Sequence, residues 1–130
     1  MNSERSQELY LRGIDLFNRE EFYDCHDALE EMWLEEFTPD RLFFQGLIQI
    51  AVGFYHFSNA KFGAGRSMFQ KALAKLEPYP DGHRGINLEE LKGEVRRWKA
   101  LLDQAVTTKS IPPARPFPKI RYVADGDVGF

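Results

Sequence analysis

Apolar residues recur along most of the chain at intervals of three and four, the period of helices with one inward face. Leu9, Tyr10, Gly13, Ile14 and Phe17 predict a first helix from about Ser3 to Asn18. A second is expected from about Glu21 to Phe37. Thr38-Pro39-Asp40 reads as a stop and a restart, with Thr38 as N-cap and Pro39 at the first helical position. The third helix then runs to about Asn59 and is apolar nearly all round, as an enclosed central helix should be. A fourth covers about Lys61 to Leu76, before Pro78 and Pro80 and a loop from Pro80 to Gly85. Asn87 with Glu90 predicts a capping box opening a fifth helix, which should end near Val106. From Ile111 to Ile120 the prolines forbid a helix and predict an extended arm. Phe117, Ile120 and Tyr122 predict that this arm straps onto the helices, while a disordered tail suits only Ala124 to Phe130.

A loose internal repeat underlies this pattern. An offset of 40 residues sets Gly13 on Gly53, Phe17 on Phe57, Phe22 on Phe62, Leu29 on Phe69 and Trp33 on Leu73. The expected architecture is an all-α, compact bundle of about five helices. Two antiparallel, tetratricopeptide-like helix hairpins build it, followed by an extended Pro-rich C-terminal arm. One helical domain is expected over 1–130, with a helical core at 3–106 and the arm at 107–130.

Composition narrows the function more than the fold. The chain has 130 residues, 43% of them hydrophobic and 14% aromatic, ample for a packed core. A formal charge of -3 argues against nucleic-acid binding driven by bulk electrostatics. The single cysteine, Cys25, excludes an internal disulfide and fits a cytoplasmic compartment. Met1 to Arg5 do not read as a signal peptide. The apolar run from Leu42 to Phe57 is interrupted by Gln45, Gln49 and His56 and is short for a membrane span, so a soluble protein is expected.

The segment His26-Asp27-Ala28-Leu29-Glu30-Glu31-Met32-Trp33 carries the candidate chemistry. On a helix His26, Glu30 and Trp33 share a stripe with Phe22 and Leu29 nearby, so a histidine and a carboxylate are expected to face the core. Gln45, Gln49 and His56 form a polar stripe on the third helix. With the turn centred near Thr38, His26 lies level with Ile50 and Glu30 with Gly46. Glu30, His26, Gln49 and Gln45 are therefore expected to form one buried hydrogen-bonded cluster. His56 should lie further off, toward Asn18, Glu20 and Glu21. Gly46 and Gly53 beside the stripe suggest a close approach of another backbone or ring.

Phe17-Asn18 through Phe22-Tyr23, His26-x3-Glu30-x2-Trp33, Gln45-Gly46-Leu47-Ile48-Gln49-Ile50-Ala51 and Tyr55-His56 resemble the family catalogued as domain of unknown function 309. The resemblance covers about Tyr10 to Leu76, and Pro116 to Ile120 also fit. It implies an all-helical fold and a motif suggested to bind metal or to matter for function. It implies no particular activity.

Three readings of the pair follow. The plain one is a structural His–Glu couple satisfied by the glutamines and the Trp33 N–H. A second has His26 and Glu30 as ligands of a divalent metal ion, as in helical zinc and di-iron sites, although two ligands are few. In the third, Glu30 is a general base oriented by His26. Cys25 points about 100° away from His26 on a helix and reads as a buried structural thiol. Trp98 reads as a core anchor, Lys92, Arg96, Arg97 and Lys99 as a mildly basic surface, His83 as exposed and Tyr55 as core edge. The expected function is a small cytoplasmic interaction or ligand-binding domain, with a protein or small molecule as partner. The alternative is a metal-dependent, hydrolytic enzyme using His26 and Glu30; whether the chain is an enzyme is left open. A homodimer is expected, because an aromatic-rich small bundle with an extended arm has surface to cover.

Overall fold

A computed structural model describes residues 2–123. Those residues form helices α1 (Ser3–Asn18), α2 (Phe22–Trp33), α3 (Arg41–Ser58), α4 (Phe62–Leu76) and α5 (Leu88–Thr108), with a short 3-10 turn at His83–Gly85. Each helix packs on the next in chain order. The tail expected at Ala124 to Phe130 lies outside the described residues.

The 40-residue offset holds in the atoms of the turns. α1 and α3 both end in a residue of positive φ, Glu20 at 62° and Ala60 at 59°. The N–H of Glu20 bonds the carbonyl of Phe17, and that of Ala60 the carbonyl of Phe57, both at 2.9 Å. Glu21 reaches back to Leu16, and Lys61 to His56, again at 2.9 Å in each case. Gly13 and Gly53 stand at equivalent crossings. A Cβ on Gly13 would lie 2.5 Å from Leu29 Cδ2, and one on Gly53 2.5 Å from Phe69 Cε1. At both crossings, α1 on α2 and α3 on α4, the glycine lets a side chain of the neighbouring helix come close to its backbone.

Two boundaries differ from expectation. α2 stops at Trp33, four residues early, because Arg41 turns back and donates to the carbonyls of Trp33 (2.8 Å) and Glu36 (2.7 Å). Thr38 is not the N-cap of α3; its Oγ1 accepts from Asp40 N–H at 3.2 Å inside a turn, and α3 opens after Asp40. Thr38 to Arg41 close a separate turn, the N–H of Arg41 donating to the carbonyl of Thr38 at 3.0 Å, and the helix starts only after it. Asn87 flanks α5 without capping it, because its Oδ1 accepts from Arg121 N–H at 2.7 Å. Asp81 serves α5 instead, accepting from Glu89 N–H at 3.1 Å.

The C-terminal arm lies across the helices. Phe117 stacks on Trp98 with centroids 5.4 Å apart and meets Phe22, Phe54 and Phe57 edge-on. Trp98 is fully buried, as a core anchor should be. Lys92 is not part of a basic surface: it is buried, and its Nζ donates to Tyr79 O (3.1 Å) and Glu89 Oε1 (3.2 Å). A buried ammonium needs such partners, and the carbonyl of Tyr79 is one that local sequence does not reveal.

Candidate functional site

The inward face of α2 is Phe22, Cys25, Ala28, Leu29 and Met32. His26 and Glu30 are not on it, which corrects the expectation that both face the dry interior. Their side chains are 21% and 45% exposed, with His26 Nε2 3.5 Å from Glu30 Oε2. His26 Nδ1 lies 3.2 Å from the carbonyl of Tyr23 in its own helix. The error is rotational. Phe22 and Leu29 do go inward, but together with Cys25 and Met32, and the His26–Glu30 row is the adjacent one. At this exposure a pair four apart on a helix contributes about 0.3–0.5 kcal/mol.

Gln45 and Gln49 are half-buried on α3, but the expected hydrogen-bonded cluster does not form. Gln49 Oε1 is buried and has no hydrogen-bond partner among the described residues; the same is true of Trp33 Nε1 and His56 Nδ1. His56 is also placed differently from expectation. It lines, with Tyr23, His26, Val52 and Tyr55, a cavity of about 150 Å³ between α2 and α3. The rings of Tyr23 and Tyr55 meet at 5.4 Å, which sets residue 23 level with residue 55 and His26 level with Val52. Side chains lean toward the N-terminus of their own helix. On antiparallel helices that tilt brings the imidazoles of His26 and His56 toward one another, and counting Cα levels alone misses it.

Trp33 is a platform for Arg41, whose guanidinium carbon sits 4.1 Å above the ring centroid. The same guanidinium ends α2. A basic residue following a helix is a recognised C-terminal partner, and Arg41 is the signal that could have been read.

Cys25 is the buried thiol expected, pushed up to about 12 by burial and therefore no nucleophile near neutral pH. A larger hollow of about 620 Å³ lies on the other flank of α2, against α1. Arg5, Arg12, Asp24, Asp27 and Glu31 line it together with Glu30. The ion pair of Arg5 with Glu31 at 2.8 Å belongs to this solvated, mixed-charge surface.

A second polar cluster was not anticipated. Asp40, between α2 and α3, accepts from His83 Nε2 at 2.8 Å and from Arg84 Nε at 2.7 Å. His83 is thus half-buried rather than exposed, with its ring 4.7 Å from Phe43 and 4.9 Å from Tyr79. Burial raises the Asp40 carboxyl, but hydrogen bonds and charge from Arg84 and His83 outweigh it and hold the group below its usual range. Tyr10 donates to the carbonyl of Arg84 at 2.9 Å, and burial pushes its phenol well up. Arg84 itself has φ of 53°, a backbone strain that these bonds sustain. The cluster ties the α2–α3 loop to the α4–α5 loop.

His26 and Glu30, the residues considered as metal ligands, stand together as a pair. Among the described residues no group of three or more His, Cys, Asp and Glu side chains is placed to hold an ion. A zinc site draws on about three or four protein ligands. Nor is any helix among those residues long and apolar enough to cross a membrane.

Helices packed in chain order, with a half-covered groove between the second and third, define a small all-helical protein. Residues 10–68 match the model of the family described as "Domain of unknown function (DUF309)". The match runs from α1 into α4 and contains both walls of the groove. An "Uncharacterized protein" of Aquifex aeolicus (strain VF5) is 33% identical over 112 residues, which are 84% of this chain and 32% of that protein. The chain therefore spans about a third of the length of that curated relative. Neither description assigns an activity.

Proposed function

We propose that the chain is an interaction domain, working in the cytoplasm, and that the α2–α3 groove is its docking surface. One observation carries this reading. Trp33 Nε1, Gln49 Oε1 and His56 Nδ1 are buried polar atoms without a hydrogen-bond partner among the described residues, and they stand on the two helices that border the groove. An unanswered buried polar group costs about 1–3 kcal/mol. The atoms are closed to solvent in the chain as it stands, so an outside group answers them only when the side chains of the groove move to admit it. The cavity between α2 and α3 measures about 150 Å³. It has room for one side chain.

Apolar substitution of the unanswered groups tests the reading. Gln49→Met and His56→Phe remove polar atoms that the fold alone does not use, so both variants should melt at or above the temperature of the native chain. A fall of several degrees in both would show that these groups serve the fold, and would overturn the proposal.

A further inference from the structure

We infer that the cavity between α2 and α3 takes a trimethylated lysine side chain of the docking partner, its quaternary ammonium held among aromatic rings. The inference rests on the groove reading above and names the group that enters. The cavity is lined by Tyr23, His26, Tyr55 and His56, all aromatic, and by Val52. The rings follow one another in a chain. His26 meets Tyr23 with centroids 5.3 Å apart, Tyr23 meets Tyr55 at 5.4 Å, and Tyr55 meets His56 at 6.2 Å. Their planes are inclined by 63°, 57° and 48° in turn, so no ring in the chain stacks flat on the next. Tyr23 and Tyr55 are 52% and 39% exposed, within reach of a group arriving from outside.

The chemistry of the lining selects the ligand. An aromatic face attracts a cation, and a set of such faces is how proteins hold quaternary ammonium groups. The surface exposed in the cavity is almost entirely apolar, and no carboxylate lines it. A primary ammonium or a guanidinium there would leave its N–H groups unanswered, which is costly. A trimethylammonium carries the charge without any N–H. Charge around the cavity points the same way. Helix α2 carries Asp24, Asp27, Glu30 and Glu31 and no lysine or arginine. Helix α3 carries only Arg41, at its far end over Trp33. Their summed field favours a cation approaching the cavity, although no carboxylate stands inside.

Titration of the full chain with acetyl-trimethyllysine methylamide tests this, followed by proton NMR at about pH 8, where an ordinary imidazole is neutral. Ring signals of Tyr23, His26, Tyr55 and His56 should shift saturably, with a dissociation constant of about 10 mM or below. Those of His83, which bonds Asp40 outside the cavity, should stay still. The unmethylated lysine derivative and an uncharged tert-butyl isostere should each bind at least about fivefold more weakly. Tyr55→Leu keeps the wall apolar but removes a ring, and should abolish the preference for the charged ligand; Tyr55→Phe should keep it. Circular dichroism checks that each variant is helical. Equal affinity for the isostere, or no saturation up to about 100 mM, overturns the inference. Tighter binding of free choline than of the lysine derivative also overturns it, because the ligand would then be a choline head and not a side chain. A flat titration beside Gln49→Met and His56→Phe forms that melt no lower than the native chain would remove the methylated side chain and leave the groove reading standing.

Discussion

Asn18 holds the main chain of Ile120 from both sides. Its Oδ1 accepts from the Ile120 N–H at 2.7 Å, and its Nδ2 donates to the Ile120 carbonyl at 2.8 Å. The residue that closes α1 is therefore also the residue that seats the arm, 102 positions away. Asn87 does the same for Arg121, accepting its N–H on Oδ1 at 2.7 Å and donating its own N–H to the Arg121 carbonyl at 3.0 Å. An extended strand without a sheet needs its backbone groups answered, and these two residues answer them.

Asn18→Ala should therefore loosen the arm while leaving the helices formed. Two hydrogen bonds at about 1 kcal/mol each set the loss near 2 kcal/mol in urea unfolding. Trp98 reports the event, because Phe117 covers it. Its fluorescence should become accessible to quenchers before the helical signal falls. Coincident transitions in the variant, at the stability of the native chain, would show that the arm is held by its aromatic contacts alone.

Asp40 gives the fold an acid-sensitive tie. Its folded carboxyl lies below the unfolded value of about 3.9, so its contribution is present above that pH and is lost as pH falls through the folded value. Asp40→Asn removes charge-assisted bonds to His83 and Arg84 and should cost about 2 kcal/mol at pH 7. As pH falls below the unfolded value of about 3.9 and on through the folded one, the gap between variant and native chain should narrow, because the native carboxyl takes up its proton. Parallel loss of stability by both proteins throughout acid titration would remove Asp40 from the acid response.

How far these features were legible in the sequence depended on whether they were local. The bounds of α1 and the equivalence of its turn with that of α3 could be read, because Gly13, Phe17 and Phe22 recur 40 residues on. The prolines of the arm excluded a helix, and Phe117 and Ile120 pointed to docking. The inner face of α2 could not be settled. The row with Cys25 and Met32 and the row with His26 and Glu30 lie side by side, and only the position of α1 decides between them. Asp40 and His83 are 43 positions apart, and no local pattern links them. Asn18 and Asn87 were legible as helix-end residues, yet their side chains answer the arm, which is distant in sequence.

Arg41 should be needed as an arginine. Its guanidinium lies over Trp33 and donates to two carbonyls at the end of α2. A lysine keeps the charge but has neither the flat face nor the fork. Arg41→Lys should thus cost about 1 kcal/mol and fray the last turn of α2, which faster amide exchange near Trp33 would report. Equal protection in the lysine variant would mean that charge alone ends the helix.

The paired glycines give a comparison within one molecule. Alanine in a helix gains about 1 kcal/mol over glycine when nothing obstructs it. At Gly53 the new methyl would meet Phe69 Cε1 at 2.5 Å and Cδ1 at 2.7 Å, atoms of a rigid ring that is fully buried. At Gly13 it would meet Leu29 Cδ2 at 2.5 Å, the end of a side chain that can change rotamer. Overpacking against the ring should outweigh the gain and leave Gly53→Ala about 1–3 kcal/mol less stable. Gly13→Ala should lose clearly less, because Leu29 can turn aside where Phe69 cannot. Thermal unfolding of the two variants side by side decides it. Equal losses would show that the leucine is as tightly locked as the phenylalanine, and that the two crossings share their tolerance as well as their geometry.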